Sequence, residues 1–161
     1  ERITALLPVL SREKAVYLVI HTNHPDELTE PARSAIRALG RAGVALLSQS
    51  VLLRGVNDDA DTLMRLFRAL TALRVTPYYL HHCDLARGTS HFRTSIDKGL
   101  AIMAALRGHL SGVAIPRYVL DLPGGYGKVA LESDAVTRLG PGEWAIRDWR
   151  GTTHRYRDLQ R

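Results

Sequence analysis

Unbroken apolar runs alternate along this chain with segments whose apolar residues recur every three or four positions, a pattern that predicts strands and helices in turn. Ala15-Val-Tyr-Leu-Val-Ile20 reads as a buried strand because it is β-branched and uninterrupted. Thr29 and Pro31 then open a helix whose Ala32, Ala35, Ile36 and Leu39 share one face, with Gly40 and Gly43 as its stop. Residues 44–47 and 51–53 make a second strand with the polar Ser48-Gln-Ser50 inside it, and Gly55-Val-Asn-Asp58 is a turn. Leu63, Leu66, Phe67, Leu70 and Leu73 keep helical spacing behind Asp58, Asp59 and Asp61, which suit a helix N-terminus. A strand follows over 75–80. Thr94 with Asp97 reads as a capping box, opening a helix that turns Leu100, Met103, Leu106 and Leu110 inward. Residues 115–120 are the final core strand, its start bent by Pro116. Further on, Gly140-Pro-Gly142 is a turn, Trp144-Ala-Ile146 a short strand, and 147–156 a hairpin turning near Gly151. Residues 2–10 read as the end of a helix that begins before Glu1.

Against this α/β background the polar residues stand out. His21 and Asn23, Gln49, Asp84 and Asp121 lie at, just beyond or, for Gln49, within the C-terminal part of the four strands. In parallel α/β proteins that edge is where loops converge and sites are built. Each residue alone has a plainer role as a cap or a satisfied buried amide. The stretch Asp121-Leu-Pro-Gly-Gly-Tyr-Gly-Lys128 concentrates the signal: glycines at 124, 125 and 127 permit positive φ and close approach to a ligand, and Lys128 adds an amine that desolvation could make nucleophilic. A turn followed by a solvated lysine is the plain alternative. A P-loop is disfavoured because Val129 stands where a magnesium-binding hydroxyl would follow the lysine. His21, His24 and Asp26 are metal ligands by residue type, but no further ligand is apparent near them.

Composition narrows the field. The 161 residues, 45% hydrophobic, suffice for one domain with its own core. No apolar run reaches the roughly 20 residues of a membrane helix, and the chain's start lacks a signal-peptide pattern, so a cytoplasmic protein is expected. A single cysteine, Cys83, excludes an internal disulfide and any cysteine-held cluster built from this chain alone. Of the net charge of +6, about half comes from residues 147–161, with five Arg against two Asp. With no basic helical stripe and few aromatics, nucleic acid is not the expected partner. The Glu at position 1 and the abrupt start suggest a piece of a longer chain.

The ordered blocks His21-Thr-Asn-His-Pro-Asp-Glu27, Gln49-Ser-Val-Leu-Leu-Arg-Gly-Val-Asn-Asp58, Pro77-Tyr-Tyr-Leu80, Cys83-Asp-Leu85, His91-Phe-Arg-Thr94, Leu106-Arg-Gly-His109 and Pro123-Gly-Gly-Tyr-Gly-Lys128 resemble the lysine 2,3-aminomutases, radical S-adenosylmethionine enzymes that also use pyridoxal phosphate. The resemblance implies the C-terminal half of a partial, TIM-like (β/α) barrel over residues 1–135, with a β-hairpin extension and basic tail over 136–161. It also implies an isomerase that turns L-lysine into β-lysine by a radical 1,2-amino shift. By the family's motif Lys128 would carry pyridoxal phosphate as an internal aldimine, and Asp84 and Asp121 would hold the distal ammonium of the substrate. Gln49, His21 and Asn23, by their strand-end positions alone, would neighbour S-adenosylmethionine or pyridoxal phosphate. The CxxxCxxC motif for the [4Fe-4S] cluster is absent, so its ligands would lie outside this chain and these residues alone would be inactive. Asp59 stands where family members often place a zinc-ligating cysteine, so no zinc is expected. A homo-oligomer is expected of the full-length enzyme.

Three alternatives stay open. A branch making β-lysine for translation elongation factor P lacks the aspartate pair and the glycine run seen here. A glutamate-directed relative would want a cation where the two aspartates stand. The third alternative is a catalytically inactive ligand-binding module, against which Lys128 speaks.

Overall fold

The computed structural model describes residues 2–10, 12 and 15–159. After α1 (Arg2–Leu10), β1 (Tyr17–His21), α2 (Glu30–Arg41), β2 (Ala45–Leu52), α3 (Ala60–Ala72), β3 (Thr76–His82), α4 (Ile96–His109) and β4 (Arg117–Asp121) alternate strand and helix. The strands lie in that order, mutually parallel, because each crossover helix returns the chain to the same end of the sheet. Four further strands follow. β5 (Lys128–Ala130) turns back antiparallel along β4, while β6 (Val136–Gly140), β7 (Glu143–Arg147) and β8 (Thr153–Arg157) form a separate antiparallel sheet.

Burial alternates along β2: Leu46, Ser48, Ser50 and Leu52 are buried, while Leu47, Gln49 and Val51 are only half-buried. Leu63, Leu66, Phe67 and Leu70 of α3 and Met103 and Leu106 of α4 are fully buried in the core with Leu52 and Leu80. Trp144, Ile146 and Tyr156 of the second sheet join the same core. The opposite face of the parallel sheet is open at β1, where Tyr17 is 71% and Val19 43% exposed.

Buried polar residues hold the strand ends in register. Ser50 donates its hydroxyl to the Thr22 carbonyl, Asn23 Oδ1 accepts the Val51 amide, and Asn57 bridges Asn23 and Val51 through its Nδ2 while accepting the Leu53 amide. The Gly-Val-Asn-Asp turn thus serves as a clamp between β1 and β2. A second network spans the two sheets. His82 shares a 2.7 Å hydrogen bond with Tyr118, and its other nitrogen lies 3.6 Å from Asp158, which in turn accepts the first amide of α4 from Ile96.

Three expectations need correction. The strand 115–120 is not the last of its sheet, because Lys128 begins β5 instead of ending a loop. The cap of α4 is Ser95, which accepts the Lys98 amide; Thr94 is buried and Asp97 pairs outward with Arg138. Gly40 lies inside α2, and only Gly43, at φ +83°, takes the left-handed position beyond its end. Residues 136–140 form β6, an element that the spacing of apolar residues does not mark.

Candidate functional site

Asp121 is the last residue of β4 and Lys128 the first of β5, and antiparallel pairing sets them directly opposite one another. Residues opposite in a ladder share a face, so the two side chains meet. Lys128 Nζ lies 2.5 and 2.7 Å from the Asp121 oxygens. His81, one strand away on β3, joins them: its Nδ1 is 3.1 Å from Asp121 Oδ2 and 3.4 Å from Lys128 Nζ. Two residues earlier on the same strand, the Tyr79 ring sits 5.3 Å from Nζ. The His81 Nε2 is buried with no hydrogen-bond partner among the described residues.

The turn between Asp121 and Lys128 is shaped by glycine. Gly124, Gly125 and Gly127 all hold φ between +76° and +94°, and the Leu122 amide closes the loop on the Gly127 carbonyl at 2.8 Å. A Cβ at Gly124 would lie 2.5 Å from the Tyr126 ring. Tyr126 stacks on His154 at 3.9 Å, and His154 is held by Asp148 at 2.9 Å, so the β7–β8 hairpin backs the loop. A cleft of about 620 Å³ runs between this loop and β8, bounded by Leu85, Leu122, Tyr126, His154 and Arg155. Leu85 and Leu122 directly follow Asp84 and Asp121 in the chain.

The electrostatics follow from this crowding. Burial, then the Lys128 charge, lower the affinity of His81 for a proton, and Asp121 and Asp84 only partly offset them, so the imidazole is neutral at pH 7. Burial would raise the Asp121 carboxyl, but the Lys128 hydrogen bond and charge outweigh it and keep the group below its ordinary range. Burial pushes the Cys83 thiol up, which leaves it a protonated side chain and not a nucleophile.

The remaining sequence candidates fall in different places. Asp84 is exposed just past β3, near enough to act on the charge of His81. His21 ends β1 and pairs in register with Gln49 of β2, which pairs with Tyr79, so these three span neighbouring strands. Asn23 spends its side chain on the Val51 amide. His24 Nδ1 accepts the Asp26 amide and caps a short 3-10 turn. Among the described residues no group of three or more His, Cys, Asp or Glu could hold a metal ion. Sequence reasoning passed over His81 and Tyr79. The signal was their i, i+2 spacing on a strand already placed beside Asp84.

Residues 103–161 match the family model described as lysine-2,3-aminomutase. Over 151 residues the chain is 45% identical to the putative L-lysine 2,3-aminomutase of Aquifex aeolicus, covering 94% of this chain and 41% of that protein. It is 42% identical over 157 residues to the L-lysine 2,3-aminomutase of Fusobacterium nucleatum, with 97% and 37% covered. The glutamate 2,3-aminomutase of Clostridioides difficile is 39% identical over 150 residues, with 93% and 36% covered. The chain therefore spans about two fifths of the length of these curated relatives. Among solved structures, a radical SAM methyltransferase from Sphaerobacter thermophilus shares the fold, with a TM-score of 0.50 at 23% identity over 71% of this chain and 38% of that one.

Proposed function

Because the chain belongs with the lysine 2,3-aminomutases, we propose that it is the C-terminal part of an enzyme that shifts the α-amino group of L-lysine to the β-carbon, and that its residues hold pyridoxal phosphate and the substrate side chain. In this reading the parallel strands and their helices, residues 1–135, are half of a (β/α) barrel, and 136–161 are a β extension that braces the glycine loop. The observation that carries the reading is the placement of Lys128 against Asp121 and His81 at the end of the sheet.

These residues fit pyridoxal phosphate. A primary amine stands at the rim of a glycine-shaped loop, beside an aromatic ring and a histidine whose Nε2 lacks a partner among the described residues. Lys128 would be the point of attachment, with Tyr79 and His81 beside it. When bound, the cofactor supplies a conjugated ring over which the unpaired electron of an amino shift can be shared. The chain does not fit the iron–sulfur cluster: its one cysteine is buried, and no metal-holding group exists among the described residues. The cluster ligands and the generation of the radical belong, on this proposal, to a part of the protein beyond these residues.

This chain's own work is then positioning. Asp121, and Asp84 on the neighbouring loop, would take the distal ammonium of lysine through charge-assisted hydrogen bonds and so fix the reach of a flexible substrate. In the structure Asp121 already holds an ammonium, that of Lys128. Two carboxylates would repel the distal carboxylate of glutamate, which favours lysine over the glutamate reading. The test is made on the full-length protein. Borohydride reduction after loading with pyridoxal phosphate should place the label on Lys128, and Lys128→Ala should abolish both the label and β-lysine formation. Label on another residue, or rearrangement at the parent rate by the variant, would refute the reading.

A further inference from the structure

We propose that His81 is the proton acceptor that frees Lys128 for attachment of the cofactor. The inference rests on the pyridoxal reading above and adds to it a residue with a defined task.

An amine paired to a carboxylate is protonated, and a protonated amine has no lone pair to offer a carbonyl carbon. Lys128 is in that condition, held by both Asp121 oxygens. Among the polar atoms of the cluster only His81 Nδ1 touches both members of the ion pair, 3.4 Å from Nζ and 3.1 Å from Oδ2. It lies on a half-buried ring, 17% exposed, that cannot readily exchange its partners for water.

The step starts from the neutral imidazole with its hydrogen on Nε2 and the lone pair on Nδ1: an N–H bond of the Lys128 ammonium breaks, its electron pair stays on Nζ, and the proton bonds to Nδ1. The new Nδ1–H then donates to Asp121 Oδ2. Ordinary lysine and histidine affinities differ by about 4 pH units, so in water the transfer would cost about 5 kcal/mol. Here it moves the ion pair of Asp121 from Lys128 to His81 instead of breaking it. The groups facing the ring agree with this direction. Lys128 on β5 is the cation that suppresses its protonation, Asp121 on β4 and Asp84 beyond β3 favour it, and Val51 of β2, its register partner, is apolar. Tyr79 meets the ring edge-on at 5.6 Å. Once Lys128 loses its charge, its share of the restraint on His81 is gone, burial still opposes the proton, and both acids remain to favour it.

The experiment follows covalent uptake of pyridoxal phosphate by the full-length protein, read by absorbance and by mass after borohydride reduction, between pH 6 and 10. His81→Asn keeps an acceptor near the Nδ1 position but cannot carry the proton away. We expect uptake by His81→Asn and His81→Ala to be at least tenfold slower at pH 7, to recover as the pH nears that of lysine ionisation, and, for His81→Ala, to be partly restored by added imidazole. Uptake at the parent rate across this range by a folded variant overturns the assignment while leaving the attachment at Lys128 intact. No covalent uptake by the parent itself overturns the pyridoxal reading and this inference together. Should neither variant fold, ring-labelled histidine in the parent decides: its titration should move to higher pH on loading, and an unmoved titration overturns the proposal.

Discussion

Asp121 serves two ammonium groups in this account, and it cannot hold both at full strength. With Lys128 charged, both carboxylate oxygens are occupied by it; with Lys128 committed to a cofactor, Oδ2 stays with His81 and Oδ1 is released toward a substrate. Loss of one acid should therefore weaken substrate binding in a way that depends on the other. Asp84→Asn and Asp121→Asn in the full-length enzyme should each lower kcat/KM for lysine by roughly ten- to a hundredfold, in keeping with about 1.5–3 kcal/mol for a charge-assisted hydrogen bond. The double variant should lose less than the product of the two, and additive losses would show that the acids do not share one ammonium. A different residue is fixed by space alone. A Cβ on Gly99 would lie 2.1 Å from the Tyr118 hydroxyl, which is committed to His82 in a fully buried site. Gly99→Ala should destabilise the protein by about 1–3 kcal/mol despite better helix propensity, seen as a lower urea midpoint. Its effect on lysine binding should be small, since the clash faces the helix layer and not the cluster around Lys128.

At the scale of elements, hydrophobic spacing was enough for the parallel strands and their helices, because each buries a continuous face. It failed where a few residues or a single contact decide. β5 is three residues long and exists because the glycine loop folds Lys128 back onto Asp121, a pairing that no periodicity records. Asp121 and Lys128 were legible through the glycines between them, whereas their contact and the third partner, His81, depended on register across β3, β4 and β5. The cap of α4 shows competition between neighbours: Thr94 and Ser95 both suit the position, and burial of Thr94 leaves Ser95 to accept the Lys98 amide. The end of α3 was hidden for the opposite reason. Arg74 takes the left-handed position at φ +61° with no glycine to mark it, and the Val75 amide closes on the Leu70 carbonyl at 3.0 Å. Arg74→Gly should relieve that backbone strain and stabilise the protein by about 0.5–1 kcal/mol, measured as a rise in Tm, with no change in cofactor uptake.

On the scale of the molecule, the sheet is finished on one side and open on the other. Helices cover one face and β5 closes one edge, while β1 leaves Tyr17 and Val19 exposed beside Gln49 and His21. Among the described residues no helix is long and apolar enough to cross a membrane. The proposal assigns radical generation to residues beyond this chain, and the chain's own chemistry sets the test. A [4Fe-4S] cluster needs several thiolates, and the 161 residues contain one cysteine, buried and protonated. The isolated chain, supplied with iron, sulfide, reductant and S-adenosylmethionine, should develop no cluster absorbance and cleave no S-adenosylmethionine. The full-length protein under the same conditions should do both. Because attachment at Lys128 uses only local residues, borohydride-stable pyridoxal on the isolated chain, if it folds, should still appear on Lys128. Cluster assembly and S-adenosylmethionine cleavage by the isolated chain would show that the division of labour proposed between these residues and the rest of the protein is wrong.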